Sequence, residues 1–409
     1  MIRDVVIVSA CRTAIGKFGG TLAAIPAPEL GAVVIREAIR RAGIDPATID
    51  EVLMGCVVQA GQGQAPARQA AIKAGVPPEV GATTVNKICG SGLKTVMLGA
   101  AMIQAGDAEI IVAGGMENMN MAPFYLPRAR TGYRMGGIAK GSVGGAVPDG
   151  LVDGMVLDGL WCAFAKHHMG SSAEWVAREF GLTREELDEY AYNSHRKAVE
   201  AIDAGKFKAE TVPVEIPQRK GPPLLFDTEE NPRRYASREE ALAQLSKLPP
   251  AFEPEGIVTA GNSPGITDGA AAVVIMSADK AKELGLQPLA RITAYAQAAV
   301  EPIRLFTAPI FAMQNLMKKL GVGIDSFDLI EANEAFAAQA VADGKALGWD
   351  WNRVNVHGGA IALGHPIGCS GTRVLVTLLY ALKDRGLQTG AATLCLGGGE
   401  AVALSVEMM

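Results

Sequence analysis

The sequence predicts an α/β protein made of two similar halves with an inserted segment between them. Three observations support this prediction. Glycine is abundant, at 48 of 409 residues, and aromatic residues make up only 5%, which is typical of layered α/β folds with many tight strand-to-helix turns. Strands and helices alternate along the N-terminal part of the chain. Similar short segments then return in the same order near the C-terminus, which indicates a duplication.

The N-terminal part alternates between apolar runs and helical stretches. We expect strands at 5–8, 51–56, 83–85 and 109–113, and helices at 29–42, 66–74 and 91–105. Strands separated by helices of this length form right-handed βαβ units. The sequence therefore predicts a mainly parallel, buried sheet.

The C-terminal part repeats segments of the N-terminal part in the same order. The matching pairs are 49–53 with 327–330, Val85-Asn86 with Val354-Asn355, 89–92 with 368–371, and 106–115 with 390–399. One such match could arise by chance, whereas several in one order indicate two duplicated α/β halves. Functional loops from both copies are then expected at a shared junction.

Residues 119–249 have a different character, with many Pro, Gly, Arg and Met residues and helical segments at 172–180 and 184–204. This region is too long for a plain loop, so we expect an inserted lid or binding subdomain, although a merely structural insertion is the alternative. The expected domains are 1–118 with 250–275 for the N-terminal half, 119–249 for the insertion, and 276–409 for the C-terminal half.

Composition excludes several classes of function. The formal net charge is −5 and the chain has no block of like charges, so we expect no nucleic-acid partner. No apolar run approaches the roughly 20 residues of a membrane span, and no secretory segment is evident, so we expect a cytoplasmic protein without a membrane partner. The six cysteines lack CxxC spacing, which predicts neither a disulfide framework nor a metal site.

Cys89 lies in the segment Asn86-Lys87-Ile88-Cys89-Gly90-Ser91-Gly92, where a strand is followed by a helix. The free N–H groups and the dipole at a helix N-terminus favour a thiolate, and glycines let a ligand approach the backbone. Such a thiolate could take an acyl group from a thioester. By pattern alone, a nucleophile and a buried structural cysteine are both compatible with this position.

His365 lies between Gly364 and Pro366, in a segment that the duplication places opposite Cys89. An imidazole in a rigid loop there could take the proton of Cys89 or donate to a thioester oxygen. His357 belongs to the same segment but could equally make a local hydrogen bond, so its participation in catalysis stays open.

Two further groups are expected at this junction. Cys395 precedes Leu396 and the triplet 397–399, whose bare backbone N–H groups could approach a bound carbonyl, and its thiol could act as a second acid or base. Asn333 begins the motif Asn333-Glu334-Ala335-Phe336 and offers an amide that could hold a water molecule.

Together, these motifs resemble those of the thiolase family, and the resemblance covers essentially the whole chain. The Cys89 segment, the motif at 333–336, Gly364-His365-Pro366 and Cys395 before three glycines occur in the family's order. Four such motifs together are highly specific. The resemblance implies two βαβαβαββ halves that form a five-layered α-β-α-β-α core, with an inserted loop domain.

By this resemblance, Cys89 is the acylated nucleophile, His365 activates it, and Cys395 abstracts or returns the α-proton of the second acetyl group. Asn333 holds a water that forms one oxyanion hole with His365, and the backbone N–H groups of Cys89 and Gly397 form the other. The implied activity is a reversible, ping-pong Claisen condensation of two acetyl-CoA molecules to acetoacetyl-CoA and CoA, or thiolysis of 3-ketoacyl-CoA.

Acyl-CoA substrates are therefore the expected partners. Coenzyme A is expected as substrate and product, with no tightly bound cofactor and no metal. The loop domain should cover the pantetheine arm and the nucleotide, and a homodimer or homotetramer is expected. The residues expected to contact substrate or coenzyme A are His168, Met169, Arg219, Ser263 and Phe336. Arg219 could instead be an exposed, solvated side chain without a ligand contact.

Three positions depart from the family's pattern. Pro264 stands where relatives often have Ser, and Pro offers no donor to the pantetheine amide, so it stays open whether Ser263 replaces that contact. His357 stands where many thiolases have Asn. Glu400 follows the glycine triplet where an uncharged residue is frequent, and its partner is not evident from the sequence.

Two alternatives are compatible with the motifs. A decarboxylating ketoacyl synthase shares the architecture and pairs its nucleophilic Cys with two His residues. Cys395 and Asn333 favour the thiolase, whereas His357 keeps the synthase open. The other alternative is a thiolase-like protein that binds acyl-CoA without catalysis, in which acetyl-CoA would leave Cys89 unmodified.

Overall fold

The computed structural model describes residues 3–132 and 150–409. Its strands are β1 (Val5–Arg12), β2 (Gly16–Lys17), β3 (Glu51–Gly55), β4 (Gly81–Val85), β5 (Ile110–Asn118), β6 (Phe124–Tyr125), β7 (Val152–Asp153), β8 (Trp161–Cys162), β9 (His167–His168), β10 (Val214–Ile216), β11 (Leu224–Phe226), β12 (Thr267–Ser277), β13 (Ala290–Ala299), β14 (Leu329–Ala332), β15 (Thr389–Leu396) and β16 (Glu400–Met408). Its α-helices are α1 (Ala27–Ala42), α2 (Pro66–Ala74), α3 (Ser91–Ala105), α4 (Met169–Glu179), α5 (Arg184–Asp203), α6 (Arg238–Leu245), α7 (Ala278–Glu283), α8 (Ala308–Leu320), α9 (Ala337–Leu347), α10 (Ala360–Leu363) and α11 (Ile367–Arg385). The seven elements predicted in the N-terminal part are all present, with ends that differ by a few residues.

One sheet runs through both halves in the order β14-β15-β16-β13-β1-β12-β5-β3-β4. Outward from the central pair β1 and β13, the N-terminal half continues as β12-β5-β3-β4. The C-terminal half continues in the same way as β16-β15-β14, and a parallel bridge at Val354 takes the place of β4. The predicted duplication is therefore confirmed by the strand order.

The prediction of a mainly parallel sheet is wrong. β3 pairs in parallel with β4 and β5, and β14 pairs in parallel with β15. The other neighbours in this sheet are antiparallel. The cause is that β12 returns beside β5 after the insertion, and β16 follows β15 through a tight turn that can join only antiparallel strands.

Helices form three layers around the two halves of the sheet. α1 and α2 cover the outer face of the N-terminal half, and α8 covers the outer face of the C-terminal half. α3 and α11 pack against each other between the halves. The segment 88–105 is long and apolar enough to cross a membrane by composition, contrary to expectation. It consists of α3, which packs in this central layer, and the three residues before it.

Glycines let the first turns of α3 and α11 approach each other closely. A Cβ on Gly371 would collide with the backbone of Leu93, and one on Gly92 would collide with Thr372. This contact also brings together the segments that precede the two helices. Those segments carry Cys89 and His365, so the close approach places the two predicted reactive groups at one junction.

The insertion predicted for 119–249 packs over this junction, and its residues 133–149 lie outside the described residues. α4 and α5 share an apolar cluster with α9 and with Cys395. α5 begins with a capping box in which Thr183 and Glu186 satisfy each other's backbone N–H groups, and this fixes where the helix starts.

Candidate active site

A cavity of about 450 Å³ lies where the two halves and the insertion meet. Residues from all three regions form its wall. The predicted site residues that line it are Cys89, His168, Met169, Ser263, Phe336, His365, Cys395 and Gly397. Eight residues proposed from separate parts of the chain therefore share one cavity.

The Cys89 segment is a tight turn between β4 and α3. Ser91 Oγ donates to the carbonyl of Ile88 at 2.6 Å and accepts the N–H of Lys87 at 2.8 Å. Ile88 adopts φ +46°, a left-handed conformation that is strained for a β-branched residue. The turn thereby presents Cys89 to the cavity directly before the helix.

The sulfur of Cys89 is not a thiolate at rest. Burial raises the pKa of its thiol to about 12, although the backbone N–H groups of Gly397 and of Cys89 itself act to lower the pKa. The backbone N–H groups act in the direction expected from the start of α3, and desolvation outweighs them. A nearby base is needed to remove the proton.

His365 provides a neutral imidazole on the same cavity. Its Nδ1 lies 2.6 Å from Ser370 Oγ, and that hydroxyl donates to the carbonyl of Pro366 at 3.0 Å. A hydroxyl has one hydrogen, so Nδ1 carries the imidazole hydrogen and Nε2 is left as the acceptor. Burial, with a smaller contribution from Arg373, lowers the pKa of His365 to about 3.

Asn333 lies beside His365. Its Nδ2 is 3.5 Å from each ring nitrogen of His365, and its backbone N–H donates to Thr393 at 3.0 Å. Its Oδ1 is buried without a hydrogen-bond partner among the described residues. The amide is therefore free to bind a small polar group next to the imidazole.

Cys395 and Gly397 come from the end of β15 and the turn that follows it. Burial raises the pKa of the Cys395 thiol well above its usual value, and Cys89 and Asp343 raise it further. Gly398 and Gly399 adopt φ +91° and +93°, which glycine tolerates and other residues rarely adopt. The backbone N–H of Gly397 in this turn acts to lower the pKa of the Cys89 thiol, and both residues line the cavity.

Two residues of the insertion, His168 and Met169, form part of the cavity wall. The ring of His168 stacks on Phe252 at 4.8 Å, and its Nδ1 accepts the N–H of Gly170. Burial lowers the pKa of His168 to about 4, so this side chain is neutral. Met169 follows it at the start of α4.

Three aromatic rings, those of Phe252, Phe306 and Phe336, also line the cavity. Phe336 makes edge contacts with Phe252 at 5.8 Å and with Phe306 at 5.4 Å between ring centroids. These rings pack together as one apolar surface. A small apolar group is the kind of ligand that this surface favours.

Ser263 and Pro264 both lie on the cavity wall. The hydroxyl of Ser263 donates to the carbonyl of Thr259 at 2.7 Å. Because its hydrogen is already used, Ser263 can only accept a further hydrogen bond, and Pro264 offers no donor at all.

The cavity lining does not include four residues discussed from sequence, which are Asn333 beside His365, Arg219, His357 and Glu400. Arg219 is exposed in the loop between β10 and β11 and is not part of the lining, so its contact with a nucleotide stays a prediction. His357 is buried and packs edge-on against Phe207 at 5.9 Å, and it does not line the cavity. His357 therefore does not supply the second imidazole that a decarboxylating synthase would need in the cavity.

Sequence reasoning missed several residues of this site. Ser370 holds His365, Arg233 stands at the cavity wall, and Glu117 accepts the N–H groups of Val57, Val58 and Gly368. Glu117 lies two residues after the repeated segment 106–115, and Arg233 lies inside the insertion 119–249. Neither position reveals a long-range partner.

Comparison with known proteins agrees with this geometry. The family model described as "Thiolase, N-terminal domain" matches residues 5–279, and "Thiolase, C-terminal domain" matches residues 286–408. Among curated relatives, an acetyl-CoA acetyltransferase of Pseudomonas aeruginosa is 56% identical over 99% of both chains. One of Cupriavidus necator is 57% identical, again over 99% of both chains.

A solved structure has the same fold. The crystal structure of the Bacillus anthracis acetyl-CoA acetyltransferase superposes with a TM-score of 0.92 at 40% sequence identity. The match covers 100% of this chain and 99% of that chain. Similarity therefore extends over both halves and the insertion.

Proposed function

The chain belongs to the thiolase family, and on that premise we propose that it is an acetyl-CoA C-acetyltransferase. It condenses two acetyl-CoA molecules to acetoacetyl-CoA and CoA, and it catalyses the reverse thiolysis. The observation that carries this proposal is that Cys89, His365 and Cys395, drawn from opposite halves, line one cavity. The printed names of the relatives support acetyl-CoA as the substrate.

In the first half-reaction, Cys89 accepts an acetyl group. His365 Nε2 takes the proton from the Cys89 thiol, and the thiolate attacks the thioester carbonyl. The N–H groups of Cys89 and Gly397 stabilise the negative oxygen that forms. The departing CoA thiolate takes the proton of Cys395, which leaves a Cys395 thiolate and a protonated His365.

In the second half-reaction, the Cys395 thiolate removes a proton from the methyl carbon of a second acetyl-CoA. Protonated His365, with a water held by Asn333, stabilises the enolate oxygen. The carbanion attacks the acetyl carbonyl on Cys89, the carbon-carbon bond forms, and the Cys89 thiolate leaves with the proton of His365. All three groups return to their resting protonation states, and thiolysis follows the same steps in reverse.

The pantetheine arm is proposed to run along His168, Met169 and Ser263, and the acetyl group to face Phe336. Arg219 is proposed to contact the nucleotide end. Arg233 adds a cation at the cavity, where a phosphate or a pantetheine carbonyl would find a donor. The cavity of about 450 Å³ is lined by the aromatic rings of Phe252, Phe306 and Phe336, and we propose that it accepts short acyl groups best.

The proposal extends to the setting in which the protein works. Coenzyme A serves as substrate and product and is not tightly bound. All six cysteines are free, which suits a reducing compartment such as the cytoplasm. Exposed apolar side chains near β6 and β7, including Phe124, Leu126 and Leu151, support self-association as a homodimer or homotetramer.

Incubation with acetyl-CoA followed by mass spectrometry tests the covalent step. The expected result is one acetyl group on the peptide that contains Cys89, and none in Cys89→Ser. A protein that only binds acyl-CoA would leave Cys89 unmodified. A decarboxylating synthase would require a malonyl thioester for condensation, so acetoacetyl-CoA formed from acetyl-CoA alone excludes it.

Thiolysis of 3-ketoacyl-CoA substrates of increasing chain length tests the substrate. We expect the highest kcat/KM with acetoacetyl-CoA, and a decline by roughly tenfold or more for long chains, since each unfavourable methylene costs about 1–3 kcal/mol. A maximum at long chain length would overturn the assignment to acetyl-CoA while leaving the thiolase reaction intact.

A further inference from the structure

An ion pair joins the two turns that carry the reacting groups. Lys87 lies two residues before Cys89, and Glu400 directly follows the glycine turn after Cys395. Lys87 Nζ is 2.8 Å and 2.7 Å from the two carboxylate oxygens of Glu400. Because the two turns belong to opposite halves of the chain, this ion pair spans their junction.

We propose that the Lys87–Glu400 ion pair is a positioning device that holds the backbone N–H of Gly397 against the sulfur of Cys89. The inference rests on the proposed function, because that N–H is one donor of the proposed oxyanion hole. Neither residue lines the catalytic cavity, so the pair acts on the reaction through the two turns and does not touch the substrate.

Both turns have backbone conformations that neighbouring contacts must maintain. Ile88 adopts φ +46°, and Gly398 and Gly399 adopt φ +91° and +93°. Strained backbone of the kind seen at Ile88 persists only where the surrounding structure holds it. The turns also touch: a Cβ on Gly397 would lie 3.2 Å from Ile88 Cγ2. A small relative shift would therefore change the distance from Gly397 to Cys89.

Each partner of the ion pair is anchored to its own turn. Glu400 pairs with Leu396 at the end of β15 and β16 that adjoins the glycine turn. The carbonyl of Gly399 accepts the N–H of Val300 at 2.7 Å. On the other side, the N–H of Lys87 donates to Ser91 at the start of α3. The ion pair consequently links two turns that are each held in place, and it thereby sets the position of Gly397 relative to Cys89.

The ion pair is partly accessible to solvent. The side chains of Lys87 and Glu400 are 20% and 39% exposed. Lys94 is a further charged side chain near both, and its Nζ donates to Gln297 at 3.2 Å. Ion pairs of this exposure are screened by salt and add little to stability. Removing the pair should therefore change catalysis and leave the fold intact.

Kinetics of Glu400→Gln and Lys87→Gln test the proposal. Each variant should lower kcat about 3- to 10-fold with KM for acetyl-CoA within about twofold, as expected for a small displacement of one oxyanion donor. The reversed pair Lys87→Glu with Glu400→Lys should recover most of the loss. Raising KCl to about 1 M should lower wild-type kcat toward that of Glu400→Gln, whose own kcat should not respond.

A matched control breaks an ion pair of similar exposure elsewhere. Lys206 pairs with Asp384 at 2.7 Å, with 37% and 39% of the side chains exposed. Lys206→Gln should leave kcat unchanged. If Glu400→Gln retains the kcat of wild type at low and high salt, the proposal is overturned.

Alkylation of Cys89 by iodoacetamide separates positioning from a direct effect of charge, and it needs no turnover. If only charge mattered, the two variants would change the alkylation rate in opposite directions, because removing the negative charge of Glu400 favours the Cys89 thiolate and removing the positive charge of Lys87 disfavours it. Positioning predicts slower alkylation in both variants, since the N–H of Gly397 moves away from the sulfur. Opposite changes, or none, overturn the proposal. The two proposals can fail separately. If the wild-type protein does not form acetoacetyl-CoA but both variants are alkylated more slowly than wild type, the proposed function is refuted and the positioning role of the ion pair is retained.

Discussion

Ser370 Oγ lies 2.6 Å from Nδ1 of His365 and donates its own hydrogen to the carbonyl of Pro366. The hydroxyl can therefore only accept from Nδ1–H. This contact selects the tautomer in which Nε2 is unprotonated. In the proposed mechanism this nitrogen takes the proton of Cys89, and the contact with Ser370 prepares it before any substrate binds.

Replacing Ser370 with Ala should lower kcat by about tenfold. The loss of one neutral hydrogen bond is worth about 1 kcal/mol, and it frees the imidazole to adopt the wrong tautomer. Steady-state kinetics should show the change in kcat with little change in KM. Ser370→Thr, which keeps the hydroxyl, should retain most of the activity; equal losses in both variants would show that the hydroxyl has no such role.

Removing the charge of Arg373 should shift the pH dependence of the reaction. Arg373 is buried, and its Nη1 lies 3.6 Å from Oε2 of Glu331. The pKa of His365 is lowered mainly by burial of the imidazole and secondly by the positive charge of Arg373. Without this cation the imidazolium is less disfavoured, so the pKa of His365 rises and less neutral base is present at acidic pH. The acidic limb of the kcat/KM profile should therefore move to higher pH.

The double variant Glu331→Gln with Arg373→Met suits this measurement, because it leaves no unpaired buried charge. Arg373→Lys keeps a cation and should preserve the wild-type profile. An acidic limb that stays in place in the double variant would contradict the electrostatic link between Arg373 and His365.

Glu117 should make the stability of the protein depend on pH. Burial raises the pKa of its carboxyl from 4.5 to about 7, so between these values the folded state binds a proton that the unfolded state has lost. The contribution of this group is fully present below about pH 4.5 and is lost as the pH rises through about 7. Urea unfolding should show the advantage of wild type over Glu117→Gln shrinking across this range. The exposed Glu215→Gln should show no such trend, and an advantage that grows with pH would contradict the raised pKa.

Replacing His357 with Asn should change kcat by less than about twofold, because its ring packs on Phe207 outside the cavity. His365→Asn should lower kcat by about 100-fold or more, since it removes the general base. Assay of both variants with acetoacetyl-CoA and CoA checks this contrast. Comparable losses in the two variants would revive the two-histidine arrangement of a decarboxylating synthase.

The candidate site could be predicted from the sequence where short motifs contain side chains able to react. Cys89 and His365 each lie in a run of turn residues beside a helix, and the duplication related their segments, while Cys395 directly precedes a glycine-rich turn at the end of β15. That information was enough to predict that they meet. The direction of β12 and β16 was not predictable in the same way, because an apolar strand has the same local pattern whether it pairs in parallel or antiparallel.

The sequence by itself determined the family, the positions of most helices and strands in the N-terminal part, and the candidate reacting groups. These depend on periodicity and on short motifs, which are properties of neighbouring residues. Only the tertiary structure decided that Cys89 is protonated at rest, that Ser370 orients His365, and that Glu400 pairs with Lys87. A pKa depends on burial and an ion pair on distance in space, and folding sets both by bringing together segments that are far apart in the chain.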